Sequence, residues 1–306
     1  MNLAFDVGND LLTPVVSGAV QGSIYGLLGL GLVLLYKGNR IFNFAQGEFG
    51  TVAALVSFAF TSGSKFLPEV PMPVALFMGV LAGTLMGLAT ERLVVRPLFR
   101  QPKVTLVVAT AGVALLAIAV EGFFAGPQPT SIKPILTGDF DLLTSGSLRV
   151  TNQEVLIVSV LAVLAVGSAL FFRRTQTGVA ILAVSQEPTA TSLVGISVNR
   201  ISALTWGMAG FLGGVAGILL SGSNGIIAPG FLTLVALIPA FTAAVFGGIT
   251  SLPGAFLGGV TIGIVEQVAG TNIPPDIIPS ANAVVVFVVL LVILLIKPAG
   301  LLGKEA

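Results

Sequence analysis

Long apolar stretches separated by short polar clusters run along the whole chain. They fall at roughly 13–36, 44–61, 71–91, 104–125, 154–172, 203–222, 233–248, 254–270 and 282–296. Stretches of this kind suit helices crossing a hydrocarbon core of ~30 Å. Two of them, 44–61 and 233–248, are short or polar for simple spans and read as re-entrant or broken. The stretch 254–270 is only moderately long and pairs with the one before it as a hairpin. The pattern predicts an all-α, polytopic integral membrane protein with about nine transmembrane helices, within a range of about eight to ten. The whole chain, 1–306, then forms a single transmembrane domain.

Composition narrows the class. Of 306 residues, 55% are hydrophobic and only 9% charged, against roughly a quarter charged in soluble domains. Such a chain has too few water-facing groups to cover itself in solvent. There is no histidine and no cysteine, which excludes a histidine-containing triad, thiol chemistry, Cys/His zinc sites and disulfides. A net charge of +1 offers no basic patch for nucleic acid. The opening residues carry Asp6 and Asp10 but no Lys or Arg, so they do not read as a cleaved signal peptide, and the terminus is expected to be retained.

Cations sort by loop. In the nine-span reading one set of loops holds Lys37, Arg40, Arg92, Arg96, Arg100, Lys103, Arg173, Arg174, Arg200, Lys297 and Lys304, while the other holds only Lys65, Lys133 and Arg149. The positive-inside bias puts the first set in the cytoplasm. The N-terminus, with Asp6 and Asp10, and the loop with Asp139 and Asp141 are then outside, and the C-terminus is cytoplasmic.

Two hydrophilic segments interrupt the rhythm. The segment 126–153 is rich in turn formers and reads as an external loop or cap. The segment 173–202, RRTQTGVAILAVSQEPTATSLVGISVNR, lies on the cytoplasmic side. Within it a short helix at 186–196 is expected. Ser185 serves as its cap, Pro188 and Glu187 suit its first turn, and Gly195 is a left-handed stop. About two turns are too few to be stable alone. Ala190, Leu193, Val194 and Ile196 offer small apolar contacts. From the residues alone, two readings stand: a plug for a partner's groove, or an amphipathic loop helix on lipid headgroups.

The run Gly178-x-Ala180, Ala183-Val184-x-Gln186-Glu187, Ala190 and Gly195-Ile196-x-x-Asn199-Arg200 resembles the coupling loop of bacterial ABC importer permeases, in particular the LivH-type permeases of branched-chain amino acid importers. Gly18-x-x-x-Gly22-Ser23-x-Tyr25-x-Leu27 and Asn43-Phe44-Ala45-Gln46-Gly47-Glu48 are similar to that family's N-terminal signature. So are Phe241–Ile249 with Ser251 and Pro253-Gly254-Ala255, continuing to Gly258-Gly259 and Glu266, and the ending Lys297-Pro298-x-Gly300-Leu301-Leu302-Gly303. The resemblance implies a multi-pass subunit of the bacterial inner membrane, working beside a second related permease. It also implies two ATP-binding subunits on the cytoplasmic face and an external substrate-binding protein. Ala183, Gln186, Glu187, Ala190, Leu193, Gly195 and Ile196 would contact an ATPase subunit. ATP and Mg would sit in those partners, since this sequence lacks the G-x-x-x-x-G-K-[ST] phosphate cradle. No cofactor or metal is expected in this chain, and it is not expected to be an enzyme.

Small-x-x-x-small pairs recur at Gly18/Gly22, Gly22/Gly26, Gly79/Gly83, Gly83/Gly87, Gly210/Gly214, Gly213/Gly217, Gly254/Gly258 and Gly259/Gly263. Such pairs let helix backbones approach closely in lipid. Polar groups at membrane depth are few, and Tyr25, Asn43, Gln46, Glu48 and Glu266 are the pathway candidates. Glu48 also suits a plain cytoplasmic helix start capped by Asn43, and Glu121 reads as reaching water near the outer end of its span. Trp206 and Tyr36 read as members of an aromatic belt. Ala228-Pro229-Gly230 and Pro253-Gly254 mark either helix breaks or turns. No Arg or Lys stands ready at depth to receive a carboxylate, so the passage reads as mostly apolar. Branched-chain amino acids are the leading solute, with urea, amides and other small organic solutes as the alternatives. An ion-coupled secondary transporter is a further alternative, resting on Glu48 and Glu266 but lacking a clear inverted repeat.

Overall fold

The computed structural model describes residues 11–63, 68–140, 150–297 and 299–303. Asp6, Asp10, Lys65, Asp141, Arg149, Pro298 and Lys304 lie outside the described residues. The helices are α1 (Leu12–Asn39), α2 (Gln46–Ser62), α3 (Met72–Thr90), α4 (Lys103–Ala125), α5 (Asn152–Arg174), α6 (Gln176–Gln186), α7 (Pro188–Leu193), α8 (Val198–Asn224), α9 (Phe231–Val235), α10 (Leu237–Gly247), α11 (Leu252–Asn272) and α12 (Ala281–Ile296). A π-helical turn, Glu91–Val95, extends α3. Among the described residues, six helices are long and apolar enough to cross a membrane: α1, α3 with its π turn, α4, α5, α8 and α11. The helices α10 and α12 are shorter but apolar.

The arrangement is a layered bundle around α1. This helix is apolar on every side, and a helix of that kind belongs in the interior. Almost all of its central window is buried, whereas the windows of α4 and α5 are mostly open, as befits helices at the edge of a membrane bundle. Helix α8 is the second inner helix.

Glycine seams hold these inner helices together. Gly18 and Gly22 of α1 face Gly263 and Gly259 of α11 so closely that a Cβ on Gly18 would lie 2.7 Å from the Gly263 carbonyl oxygen. Gly50 of α2 meets Gly217 of α8, and Gly83 and Gly87 of α3 meet Gly210 and Trp206 of α8. Gly247 of α10 meets Gly254 of α11. The backbone contact that small residues permit is the main source of helix attraction in lipid.

Trp206 departs from its expected place in an aromatic belt. It is fully buried, with its ring edge-on to Phe49 at 6.3 Å between centroids. Gly87 on the facing helix comes against its backbone. The cause is the inner position of α8, which its hydropathy alone does not reveal.

The segment 126–153 is tied down where it is described. Thr130–Ser131 pairs antiparallel with Ile226–Ile227 beyond α8. Gln153 accepts the backbone N–H groups of Ile135 and Leu136, both at 3.1 Å. A capping box between Thr151 and Glu154 starts α5.

Candidate functional site

Two regions gather the candidate residues. The first is a polar centre where α2 and α9 begin inside the bundle. Helix α1 ends at Arg40 in a left-handed conformation, φ 55°, and the chain then turns back along α1. Gln46, the first residue of α2, lies against Gly31, eight residues before the end of α1, or roughly 12 Å inside at 1.5 Å per residue. Helix α2 therefore starts inside the bundle instead of level with the end of α1.

That position corrects the reading of Asn43 as a helix cap. Ala45 occupies the N-cap position with no side-chain cap. Asn43 instead folds the turn before it, accepting the Ala45 N–H at 3.0 Å and donating to Gln46 Oε1 at 3.3 Å. Gln46 Nε2 donates to the Ala209 carbonyl of α8 at 3.0 Å. Asn43 and Gln46 are buried and mutually bonded, an arrangement that fixes the entry of α2 against α8. Gln46→Ala would strand the Asn43 amide in an apolar interior, a loss of about 1–3 kcal/mol. A lower melting temperature of the purified protein is the expected result; an unchanged one would remove Gln46 from the structural account.

Helix α9 begins a few ångströms away. Its N-cap Gly230 has φ 71°, a conformation that favours glycine. The Leu232 N–H reaches Thr51 Oγ1 of α2 at 3.2 Å, and Gly47 packs against the backbone of Thr233. Ala236 separates α9 from α10, so the stretch around 233–248 is two helices. Glu121 of α4 accepts the Gly230 N–H at 2.9 Å. Glu121 is expected to reach water, but only 5% of it is exposed, because the turn at Gly230 closes against α4.

Glu48 is fully buried in the first turn of α2, with its carboxyl facing Thr51, Thr233 and the Glu121 carboxyl. Among the described residues, neither Glu48 oxygen, nor Glu121 Oε1, nor Thr233 Oγ1 reaches a partner at hydrogen-bonding geometry. Sequence reading named Glu48 but missed Glu121, Thr51 and Thr233 as its neighbours. The only signal was the Pro229-Gly230 break that lets α9 start at this depth. Glu121 also stands at the end of a cleft of about 830 Å³ between α2, α3 and α4.

Tyr25 and Glu266 form a separate pair across the α1–α11 seam. Tyr25 is buried and accepts from Gln21 Nε2 at 3.1 Å, while the Glu266 carboxyl faces its hydroxyl. The five pathway candidates thus divide into three groups, and the structure does not bring them to one surface.

The second region is the segment 173–202. Of the helix expected at 186–196, the structure has α7 at Pro188–Leu193, and a separate helix, α6, precedes it and ends at Gln186. Helix α6 continues through Ser185 and Gln186, and Ser185 bonds back to the Leu182 carbonyl at 2.8 Å instead of capping a new helix. Pro188 explains the break: the residue before proline is pushed into extended conformation, and Glu187 has φ −143°, ψ 85°. Proline then opens α7, where its missing N–H costs nothing. Gly195 has φ 87° and donates to the Ser192 carbonyl at 3.1 Å, while Ile196 donates to Thr191 at 3.3 Å. These bonds form the expected glycine stop.

The result is an elbow whose tip is open. Ala183 lies part-buried on α6, Gln186, Glu187 and Ala190 are exposed, and Ile196 is part-buried. Leu193 and Val194 are 84% and 76% exposed. The base of the elbow is firm, because Ile181 of α6 and Thr205 of α8 pack over Gly38 of α1. Arg96 binds the buried Glu91 at 2.7 Å and reaches the Asn199 carbonyl at the start of α8 at 3.4 Å. The base of the elbow is therefore packed on α1 and α8, and Arg96 joins the start of α8 to the turn after α3.

Comparison with known proteins places this arrangement. Residues 15–295 match the family model described as branched-chain amino acid transport system, permease component. The permease protein BraD of the high-affinity branched-chain amino acid transport system of Pseudomonas aeruginosa is 31% identical over 299 residues, covering 96% of both chains. LivH of Salmonella typhimurium, from the same kind of system, is 28% identical over 301 residues at 96% of both. A probable LivH of Methanocaldococcus jannaschii is 27% identical over 302 residues, covering 95% of this chain and 92% of its own. Nearly the whole helical bundle, with the re-entrant start of α2, the broken α9–α10 pair and the α6–α7 elbow, lies inside the matched region, and the chain belongs to the family of branched-chain amino acid transport permease components.

Proposed function

We propose that this chain is a pathway-forming subunit of an ABC importer in the bacterial inner membrane, moving branched-chain amino acids inward. Its N-terminus is outside and its C-terminus cytoplasmic. It crosses the membrane about nine times, with α2, the α9–α10 pair and α12 adding to the six long helices. A second, related permease pairs with it, two ATP-binding subunits hold ATP and Mg, and an external binding protein delivers the solute.

The observation that carries this reading is the α6–α7 elbow. It presents exposed Leu193 and Val194 at its tip, while its base is packed on α1 and α8. A rigid knob of this form suits a groove on a motor subunit. ATP-driven closure of the motor would pull the elbow, and α8 would carry the displacement to the start of α2 through the Gln46–Ala209 bond. The names of BraD and LivH support the choice of solute.

Purification of the tagged chain from its host in mild detergent, with mass spectrometry of what accompanies it, tests the proposal. Two ATPase chains and a second permease are the expected companions, and the reconstituted assembly should accumulate leucine only with ATP and its binding protein. Solute movement in liposomes by this chain alone, without ATP, would overturn it in favour of a secondary transporter.

A further inference from the structure

Two carboxyls meet inside the bundle with nothing positive between them. Glu48 of α2 is fully buried and Glu121 of α4 is nearly so, and their carboxyls face each other. The groups around the pair come from three places. Helix α2 brings Thr51, α9 brings Thr233, and the turn before α9 brings the Gly230 N–H, which Glu121 Oε2 accepts at 2.9 Å. Among the described residues no Lys, no Arg and no further carboxyl faces either member. Thr51 is already engaged, donating to the Gly47 carbonyl at 3.3 Å and accepting the Leu232 N–H at 3.2 Å.

An ionised carboxylate can only accept hydrogen bonds. With both carboxyls ionised, the two oxygens of Glu48, Glu121 Oε1 and Thr233 Oγ1 have no partner among the described residues, and two like charges repel across a low dielectric. A single proton removes both difficulties. Placed between Glu48 and Glu121 Oε1, it bonds one oxygen of each and cancels one of the two charges. The other Glu48 oxygen is left to the Thr233 hydroxyl that faces it. We propose that Glu48 and Glu121 hold one proton between them, and that this proton latches α2 to α4 and, through Gly230, to the start of α9. Carboxyls this close share a proton because both cannot ionise together. Helix α4 stands at the edge of the bundle, and a second polar tie, the Phe44 N–H to Thr110 Oγ1 at 3.2 Å, joins it to the turn before α2. Loss of the proton sets two negative charges against each other where α2 meets α4. The latch is a proton-binding site of the interior, and its chemistry is independent of the solute.

The test uses the full chain in nanodiscs. At neutral pH its infrared spectrum should contain the carbonyl stretch of a protonated carboxyl, shifted by isotope-labelled glutamate and lost in Glu48→Gln. In that variant an amide hydrogen takes the place of the shared proton and Glu121 stays ionised, so the charge of the site and its bonds are kept. Glu266→Gln should leave the band in place. Folding of the wild type takes up a proton that the unfolded chain releases, so its stability should fall as pH rises above the ordinary carboxylate range. Relative to Glu48→Gln, the wild-type ratio of folded to unfolded chain should drop about tenfold more per pH unit, the effect of one proton. No such band in the wild type, a band that persists in Glu48→Gln, or identical pH profiles of melting would overturn the shared proton. The wild-type band needs no variant to fold. In the assembled importer, leucine uptake should decline on the alkaline side in the wild type and hold in Glu48→Gln. Equal uptake profiles would overturn the latch, whereas no uptake by either assembly would overturn the permease reading and leave the proton pair to the spectra.

Discussion

Replacing Gly22 by leucine is expected to leave no correctly assembled chain. A Cβ at this position would collide with the Gly259 carbonyl and lie 2.8 Å from Val260 Cα and 2.9 Å from its carbonyl oxygen. These are backbone atoms of α11, so no rotamer change relieves the clash. Parting α1 from α11 would forfeit the close contact that substitutes for the hydrophobic effect between helices in lipid. Even alanine at Gly22 should cost about 1–3 kcal/mol, the usual penalty of overpacking. Gly112→Ala and Gly167→Ala are the internal comparison, since a Cβ at either position meets nothing within 4 Å. Size-exclusion profiles and melting temperatures in detergent should therefore rank the variants: Gly112→Ala and Gly167→Ala at wild type, Gly22→Ala below, and Gly22→Leu aggregated or absent. A Gly22→Leu chain with a wild-type profile would refute the seam.

Arginine at Ala190 should abolish transport while leaving the chain folded. The position is exposed, so the long side chain has room in the isolated subunit and collides only with whatever covers the elbow. Loss of a central interface contact is typically about 2 kcal/mol or more, which is roughly a thirtyfold fall in occupancy of the coupled state. Gly195→Pro attacks the same elbow through its backbone. It removes the N–H that bonds to Ser192 at 3.1 Å, and proline fixes φ near −65° where the native value is 87°. Gly195→Ala should be intermediate, because only the left-handed backbone costs it, about 1–2 kcal/mol. Leucine uptake by the reconstituted assembly, measured beside ATP hydrolysis and the melting temperature, separates the cases. Full uptake by both Ala190→Arg and Gly195→Pro at wild-type expression would dismiss the elbow as the coupling element.

Much of this architecture was legible in the order of residues. Helices in lipid must satisfy their own backbone and present apolar side chains over a fixed length, so the helical segments follow closely from local hydropathy. The stop at Gly195 and the break before Pro188 are likewise local, because glycine and proline act on their own φ and ψ angles and on those of the residue before. Ser185 is the exception: expected as the cap, it lies inside α6, and the chain breaks at Glu187 before Pro188.

The glycine pairs show where local reading ends. Gly18/Gly22 and Gly259/Gly263 each announce a close approach, but nothing in either pair names the other as its partner. The carboxyls are a sharper case. Glu48 and Glu121 are far apart in the chain, and a burial preference is not written into a glutamate. The first became buried because α2 starts roughly 12 Å inside the bundle, the second because the Pro229-Gly230 turn closes against it. Trp206 sits in the interior for a similar reason, since α8 is enclosed by neighbours that its own sequence does not specify. Hydropathy and backbone preference are properties of a segment, and they determined that this is a helical membrane protein, where its helices lie and where its elbow turns. Helix depth, helix partners and the company of a buried charge depend on the packing of distant segments against one another, so only the tertiary structure decided which polar groups meet in the interior.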